Sequence, residues 1–495
     1  MLVGHYEKNI CKINGSYYLF YLFYRHNINC YKLVRKRLVK LMFSSKTYND
    51  RREVLAKNLN NGKILLMGNS QVPMNYPSNW LRFRQDSNFL YYCGLDYPDL
   101  NLVIDTSSGE STLFGNDLTI QDIVWEGERT SIANMAEVSG IQSVLPSNQL
   151  SSFLLGSNET IHYLPLYRQD QQVFLESILN NNKIESSKSL IINVISQRSI
   201  KTEDELSEIE SAIEVTMDMH KLAMRQTSDG ILEQTIAGKI EGYALQNGRE
   251  LAYPVIFTTR GEILHNHNHN NIMCSGQLAL NDSGAESPMH YASDITRTFP
   301  VSGRFTDLQK EIYNIVYNMQ EAAFDYCKPG NSYRQAHLTA SKIAVEGLIN
   351  MGIMKGNADD AVKEGAHALF FPHSLGHMLG LDVHDMEGLG EDLVGYNEES
   401  NRSDQFGLAY LRLAKELVEG FVLTVEPGIY FIPHLINQWK AENKSSAFIN
   451  YDSLNKFVDF GGIRIEDNVV ITSDGYRILG PHIPRTINEI EDVMA

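Results

Sequence analysis

The sequence predicts a mixed α/β (α+β) chain of two domains, and three observations predict it. At 495 residues the chain is too long for one ordinary hydrophobic core. From Met42 to residue 196, short apolar runs such as KILLM and NLVID alternate with segments of helical period, as in a layered α/β domain. From residue 197 onward, long amphipathic helices separate strand-like runs that each carry an acid or an imidazole.

The first 41 residues differ in character from the rest. They hold eight basic side chains, from Lys8 to Lys40, against one acid, Glu7, around the apolar patch Tyr17 to Tyr24. The patch lacks a small-residue cleavage site, so it makes a poor signal peptide. Residues 1–41 are therefore expected to be a mis-set start or a disordered extension, with Met42 opening the ordinary protein. Asn49 or Asp50 is expected to cap a helix that runs to about Asn60, stopped by Asn61-Gly62 and followed by the strand KILLM. FRQDSNFLYYCGL, DIVWEGER, IHYLPL and LIINVIS continue the alternation through residue 196. Phe89, Tyr91, Tyr92 and Trp125 are assigned to its core. This first domain, 42–196, holds no cluster of metal-ligating residues and is assigned to oligomerisation and substrate gating.

The second domain is expected over 197–495. Thr202 with Glu205 and Thr306 with Gln309 have capping-box spacing. Leu206, Ile209, Ile213, Met217 and Met224 form one helical stripe, and Leu308, Ile312, Ile315, Val316 and Met319 form another. Lys328-Pro329-Gly330 should end the second helix. Both helices should lie outside a curved antiparallel sheet built from the acid-bearing strands. Residues 391–419 and 434–458 are expected as surface insertions.

The totals exclude several classes. Five cysteines without paired spacing suggest neither a disulfide framework nor a zinc ribbon, and point to a reducing, cytoplasmic setting. A net charge of −17 argues against a nucleic-acid partner. No run of eighteen apolar residues predicts a membrane span. GLGEDL lacks the third glycine of a dinucleotide loop, and no GxSxG occurs.

The chemistry gathers around Asp282 to Pro300, DSGAESPMHYASDITRTFP. Asp282 ends a strand, and Gly284 and Pro288 let the chain double back to bring Asp294 beside it. Two adjacent carboxylates repel unless a proton or cation lies between them, and a hard divalent cation takes oxygen ligands. Taken alone, the two acids could equally end strands or cap turns. Three further stretches shift the balance: HSLGHMLGLDVHD with His373, His377 and His384, TVEPGIY with Glu426, and GGIRIEDNVVI with Glu466. Each places an ionisable group in an apolar run, where it would be costly unpaired.

Together these stretches resemble the pita-bread metallopeptidase family of aminopeptidase P, prolidase and methionine aminopeptidase. The resemblance implies an N-terminal creatinase-like, ribonuclease-H-like domain before a pita-bread catalytic domain. It implies two divalent metal ions, with Mn(II) favoured by ligation rich in carboxylates, free of sulfur and holding one imidazole. Asp282 would chelate one ion, Asp294 and Glu466 would bridge both, and His377 with Glu426 would complete the second. A metal-bridging hydroxide would attack the peptide carbonyl, with Glu426 moving the proton to the leaving nitrogen. By the same resemblance His384 would donate to the carbonyl oxygen, His373 would line the leaving side, and His265 would be a further active-site histidine. Arg464 shares a strand face with Glu466 and would contact substrate or fix a carboxylate, while Arg297 would be a core ion pair. Tyr430 is placed either near the metals or in the core. His267 and His269 are read as an exposed polar edge or loop and left out of the site. The spacing from Asp282 to Asp294 is one residue longer than the bacterial aminopeptidase P pattern, which places an extra residue in the turn.

The implied function is release of an N-terminal residue from peptides with proline in second position, by a homo-oligomer (dimer or tetramer). Prolidase, cleaving Xaa-Pro dipeptides, is the nearest alternative. A peptide-binding module that has lost catalysis is the non-enzyme alternative, disfavoured because all five ligand positions are filled. The first domain argues against methionine aminopeptidase, and the full ligand set against creatinase.

Overall fold

A computed structural model describes residues 42–495 except 60, 157–158 and 180–185. The extension expected over 1–41 lies outside the described residues.

The first half is built on a mixed five-stranded sheet. Its strands are β1 (Lys63–Met67), β2 (Asn101–Asp105), β3 (Ser111–Phe114), β4 (Ser143–Leu145) and β5 (Ile161–Tyr163), ordered β4-β3-β2-β1-β5. β1 is buried at every position, as a central strand covered on both faces must be. Helix α1 (Ser45–Lys57) starts earlier than Asn49: the Ser44 hydroxyl accepts from the Thr47 N–H and caps it. Helix α2 (Ser87–Cys93) is capped by Asp86, and Phe89, Tyr91 and Tyr92 are core residues as expected. Trp125 is not. It lies on α3 (Ile120–Glu126), a two-turn helix that buries none of its residues, and is 80% exposed. Helix α4 (Lys188–Ser199) leads into the second half and contains the expected boundary between residues 196 and 197.

The second half opens with α5 (Glu203–Gln226), whose Thr202–Glu205 capping box is formed in both directions. Helix α6 (Glu233–Gln246) follows. Strands β6 (Ile256–Thr258), β7 (Leu278–Asp282) and β8 (Thr296–Pro300) form one antiparallel sheet, with Asp282 opposite both Ile256 and Thr296. Helix α7 (Asp307–Tyr326) carries the expected Thr306–Gln309 capping box, also complete, and packs on α8 (Tyr333–Asn350). Its stripe is buried except at Leu308, which remains 38% exposed in the first turn. β9 (Val422–Val425) pairs with β12 (Asp467–Ile471), and β10 (Gly428–Tyr430) pairs with β11 (Gly462–Arg464). Asp467 faces Val425 and Arg464 faces Gly428, so one continuous antiparallel register sets Glu466 opposite Glu426. The outer strand β13 (Tyr476–Ile478) completes the β9 sheet.

The two stretches expected as surface insertions keep most of their residues exposed or half-buried, and each buries a few apolar side chains. Residues 391–419 bury Val394, Leu411, Leu413 and Leu417, and 434–458 bury Trp439 and Leu454. Among the described residues, no helix is long and apolar enough to cross a membrane.

Candidate metal centre

Glycines decide how closely the motif segments approach. A Cβ on Gly284 would lie 1.8 Å from the Ser293 carbonyl oxygen, and one on Gly376 would lie 2.0 Å from that of Thr424. No other side chain fits at either position. The first close approach brings Asp294 alongside the end of β7. The second brings His377 alongside β9, where its N–H donates to the Thr424 hydroxyl at 3.1 Å.

All nine site residues expected from the sequence line one cavity of about 300 Å3: Asp282, Asp294, His377, Glu426, Glu466, His384, His265, His373 and Arg464. Asp294, His377 and Glu466 each offer a donor atom, and these three atoms lie within 4.8 Å of one another. His377 Nε2 is 3.3 Å from Asp294 Oδ2 and 3.7 Å from Glu426 Oε1. Asp282 joins from the other side, tied to Asp294 by Tyr253, whose hydroxyl is 2.7 Å from Asp282 Oδ1 and 2.5 Å from Asp294 Oδ1. Arg464 Nη2 donates to Asp282 Oδ2 at 2.5 Å, so this arginine fixes a carboxylate.

These residues fit divalent metal ions on three grounds. Glu466 Oε1 is buried without a hydrogen-bond partner, while its Oε2 accepts from the Thr296 hydroxyl at 2.7 Å. An orphaned buried carboxylate oxygen is expensive unless something positive meets it. His377 Nδ1 donates to the Met378 carbonyl at 3.0 Å, which leaves Nε2 aimed at the carboxylates, as for a metal-ligating imidazole. Electrostatics supply the third ground. Burial, reinforced by the neighbouring carboxylates, pushes Glu466 well above the usual range and Glu426 up to about 7. Burial also raises Asp282, whereas hydrogen bonding and charge from His377 overcome burial and hold Asp294 low. Four acids so placed need positive charge among them, and an all-oxygen and imidazole donor set suits hard or borderline divalent ions.

The histidines around the cluster are held in defined tautomers. His373 Nδ1 donates to the Ser374 carbonyl at 2.7 Å, so its Nε2 accepts from the Tyr430 hydroxyl at 2.8 Å. That hydroxyl in turn accepts from Arg464 Nη1 at 2.9 Å, and Tyr430 is therefore a site residue. Burial lowers the His373 pKa to about 3, so the ring is neutral. The His384 ring lies 4.1 Å from that of His377, with Nδ1 at 3.2 Å from Glu387 Oε2. Glu387 is also paired with Arg412, which itself lines the cavity. Behind β7, His220 Nε2 donates to the Ser283 carbonyl at 3.1 Å and Nδ1 accepts from Asn281 at 3.0 Å. Arg297, fully buried, pairs with Asp467 at 2.6 Å and donates to the Glu466 carbonyl, the core role expected of it.

Tyr253, Glu387 and Arg412 were missed by sequence reasoning because they lie outside the acid- and imidazole-bearing motifs. His267, set aside as exposed, also lines the cavity. Residues 265–269 do not form the strand that would have put alternate histidines on one face. His269 instead turns its Nδ1 to the Phe257 carbonyl at 2.9 Å.

The profile of metallopeptidase family M24 matches residues 207–473, and that of the aminopeptidase P N-terminal domain matches residues 48–162. A human Xaa-Pro dipeptidase is 33% identical over 450 residues, covering 87% of this chain and 88% of that protein. A probable Xaa-Pro aminopeptidase of Fusarium vanettenii is 35% identical over 437 residues, covering 86% and 90%. A zinc-substituted E. coli aminopeptidase P in complex with product superposes with a TM-score of 0.77 at 28% identity, covering 92% of this chain and 98% of that one. A Pseudomonas aeruginosa aminopeptidase superposes equally well at 27% identity.

Proposed function

The chain belongs to metallopeptidase family M24 and carries an aminopeptidase P N-terminal domain, and from that membership we propose that it releases the N-terminal residue from peptides with proline second. The observation that carries this reading is the convergence of Asp282, Asp294, His377, Glu426 and Glu466 on one cavity, around the orphaned oxygen of Glu466. These five would hold two divalent ions, with Mn(II) favoured by a donor set of four carboxylates and one imidazole. When bound, such a pair supplies the Lewis acidity that makes water nucleophilic at neutral pH and polarises a carbonyl.

The chain's own groups do the rest. Glu426, half-buried and facing the cluster, takes the proton of the attacking water and delivers it to the leaving proline nitrogen. His384, whose Nδ1 is held by Glu387, donates a hydrogen bond from Nε2 to the carbonyl oxygen in its protonated imidazolium form, as negative charge develops there. His373 and His265 line the wall against which the proline residue is placed, with Ile256, Leu264 and Val383 supplying apolar surface. Arg464 and Tyr253 keep Asp282 and Asp294 in place.

Arg412 favours a second reading. A cation in the cavity wall could meet the free carboxylate of an Xaa-Pro dipeptide, as a prolidase requires. The two readings separate in one assay: a tripeptide Xaa-Pro-Yaa beside the dipeptide Xaa-Pro, both with Mn(II). Faster turnover of the tripeptide is expected, and activity on the dipeptide alone would reverse the order. We further propose a cytoplasmic homo-oligomer, dimer or tetramer, supported by the apolar face that α3 exposes at Ile120, Val124 and Trp125.

A further inference from the structure

The loop that carries His384 is held from outside the half that holds the metal cluster. Asp385, next in sequence, is buried, and both of its oxygens are occupied: Arg198 Nη2 donates to Oδ1 at 2.6 Å and Lys201 Nζ to Oδ2 at 2.7 Å. Arg198 also reaches Asp382 Oδ2 at 2.9 Å, and Ser87 Oγ donates to Asp382 Oδ1 at 2.6 Å. Arg84 Nη2 donates to the Leu381 carbonyl at 2.7 Å. Arg84 and Ser87 belong to the stretch matched by the N-terminal domain profile, and Arg198 and Lys201 lie between the two matched stretches.

The loop's backbone needs such holding. Met386, two residues after His384, sits in the left-handed region at φ 65°, where a side chain other than glycine is strained. The Asp385 N–H donates to the Met378 carbonyl at 2.9 Å, and the Asp385 carboxylate fills the space where a Cβ on Gly380 would lie, 2.4 Å from Oδ2. A buried ion cluster of this kind is a poor source of stability compared with apolar packing of the same volume. It does fix direction, because each charge has only the partners provided.

We propose that Ser87, Arg198 and Lys201 are positioning residues for the reaction, acting through Asp382 and Asp385 to hold the His384 ring over the cavity. The N-terminal half thereby completes the active site within a single chain. This inference rests on the role given to His384 above. The competing account is that the same contacts only join the two halves.

The test uses the full-length, Mn(II)-loaded chain and the variants Ser87→Ala, Arg198→Lys and His384→Ala, alone and combined. Ser87→Ala removes a small hydroxyl whose short bond is to Asp382, with longer contacts to the Leu381 carbonyl and Arg84, and should fold, whatever Arg198→Lys does. It should retain its metal content and thermal midpoint, leave KM within about twofold, and lower kcat about three- to tenfold. In the His384→Ala background it should cost nothing further, because the group it positions is gone. In the metal-free protein, amide exchange should rise across residues 378–387 in Ser87→Ala and stay unchanged in β7 and β9. Losses that multiply between Ser87→Ala and His384→Ala, or a Ser87→Ala protein with wild-type kcat and exchange, would overturn the positioning role. If His384→Ala keeps wild-type kcat, the role of His384 falls and the inference falls with it. A slow His384→Ala beside an unaltered Ser87→Ala would sink only the inference.

Discussion

Asp294 is the residue on which the most contacts of the cluster converge: Tyr253 on one oxygen, His377 on the other, Asn468 at its backbone. Asp294→Ala should lose the metal pair and most turnover, as read by metal analysis beside a proline-peptide assay. His384→Ala should keep the metals and lose rate by about 10²–10⁴-fold. Gly284→Ala drives a methyl into the Ser293 carbonyl and should cost about 2–4 kcal/mol in a urea unfolding curve. At this scale the sequence was highly legible where chemistry and steric need share a short string, as in DSG and HSLGH. It was mute for Tyr253, a lone tyrosine 29 residues before Asp282 whose hydroxyl becomes meaningful only once β7 and Asp294 stand beside it. Glu387 and Arg412 escaped for the same reason. Glu387 acts on a histidine already recognised and Arg412 acts on Glu387, and an acid three residues after a histidine is common enough to signal nothing.

Among elements, the turn between β7 and β8 has a titratable anchor of its own. His290 sits between Asp96 Oδ2 at 2.9 Å and Glu286 Oε2 at 2.6 Å, with Arg84 also on Glu286. Burial and the Arg84 charge would lower its pKa, but the hydrogen bonds to Asp96 and Glu286 prevail and raise it to about 9. Because the folded value lies above the unfolded one of about 6.5, the stabilisation is complete below pH 6.5 and is lost as pH rises to 9. Unfolding midpoints should therefore fall over that window by the equivalent of up to about 3 kcal/mol, and His290→Gln should flatten the fall. Capping boxes at Thr202 and Thr306 were readable because both partners lie within four residues. The start of α1 was misread because two plausible caps, Asn49 and Asp50, lie inside the helix and the true one, Ser44, precedes them. Trp125 was misplaced because an apolar residue on a two-turn helix looks the same in sequence whether or not another element covers it.

Across the whole molecule, the division into two halves follows from length and pattern, but their joint does not. Arg198 and Asp385 are 187 residues apart, and no periodicity or spacing links them. Arg84 and Ser87 give the first domain, expected to serve oligomerisation and substrate gating, direct hydrogen bonds to the loop bearing His384 as well. The exposed α3 face makes a further prediction: Trp125→Ser should shift the sedimentation profile toward smaller species if this face joins copies, with the β1–β5 core undisturbed. The whole site depends on five donors in one cavity. Titrating the metal-free chain with Mn(II) while following cleavage of an Xaa-Pro-Yaa peptide tests it most directly. Turnover should climb to a plateau at two equivalents per chain in the native protein and stay near zero in Glu466→Gln. Cleavage that proceeds undiminished without added metal, or a native chain that takes up no Mn(II), would contradict it.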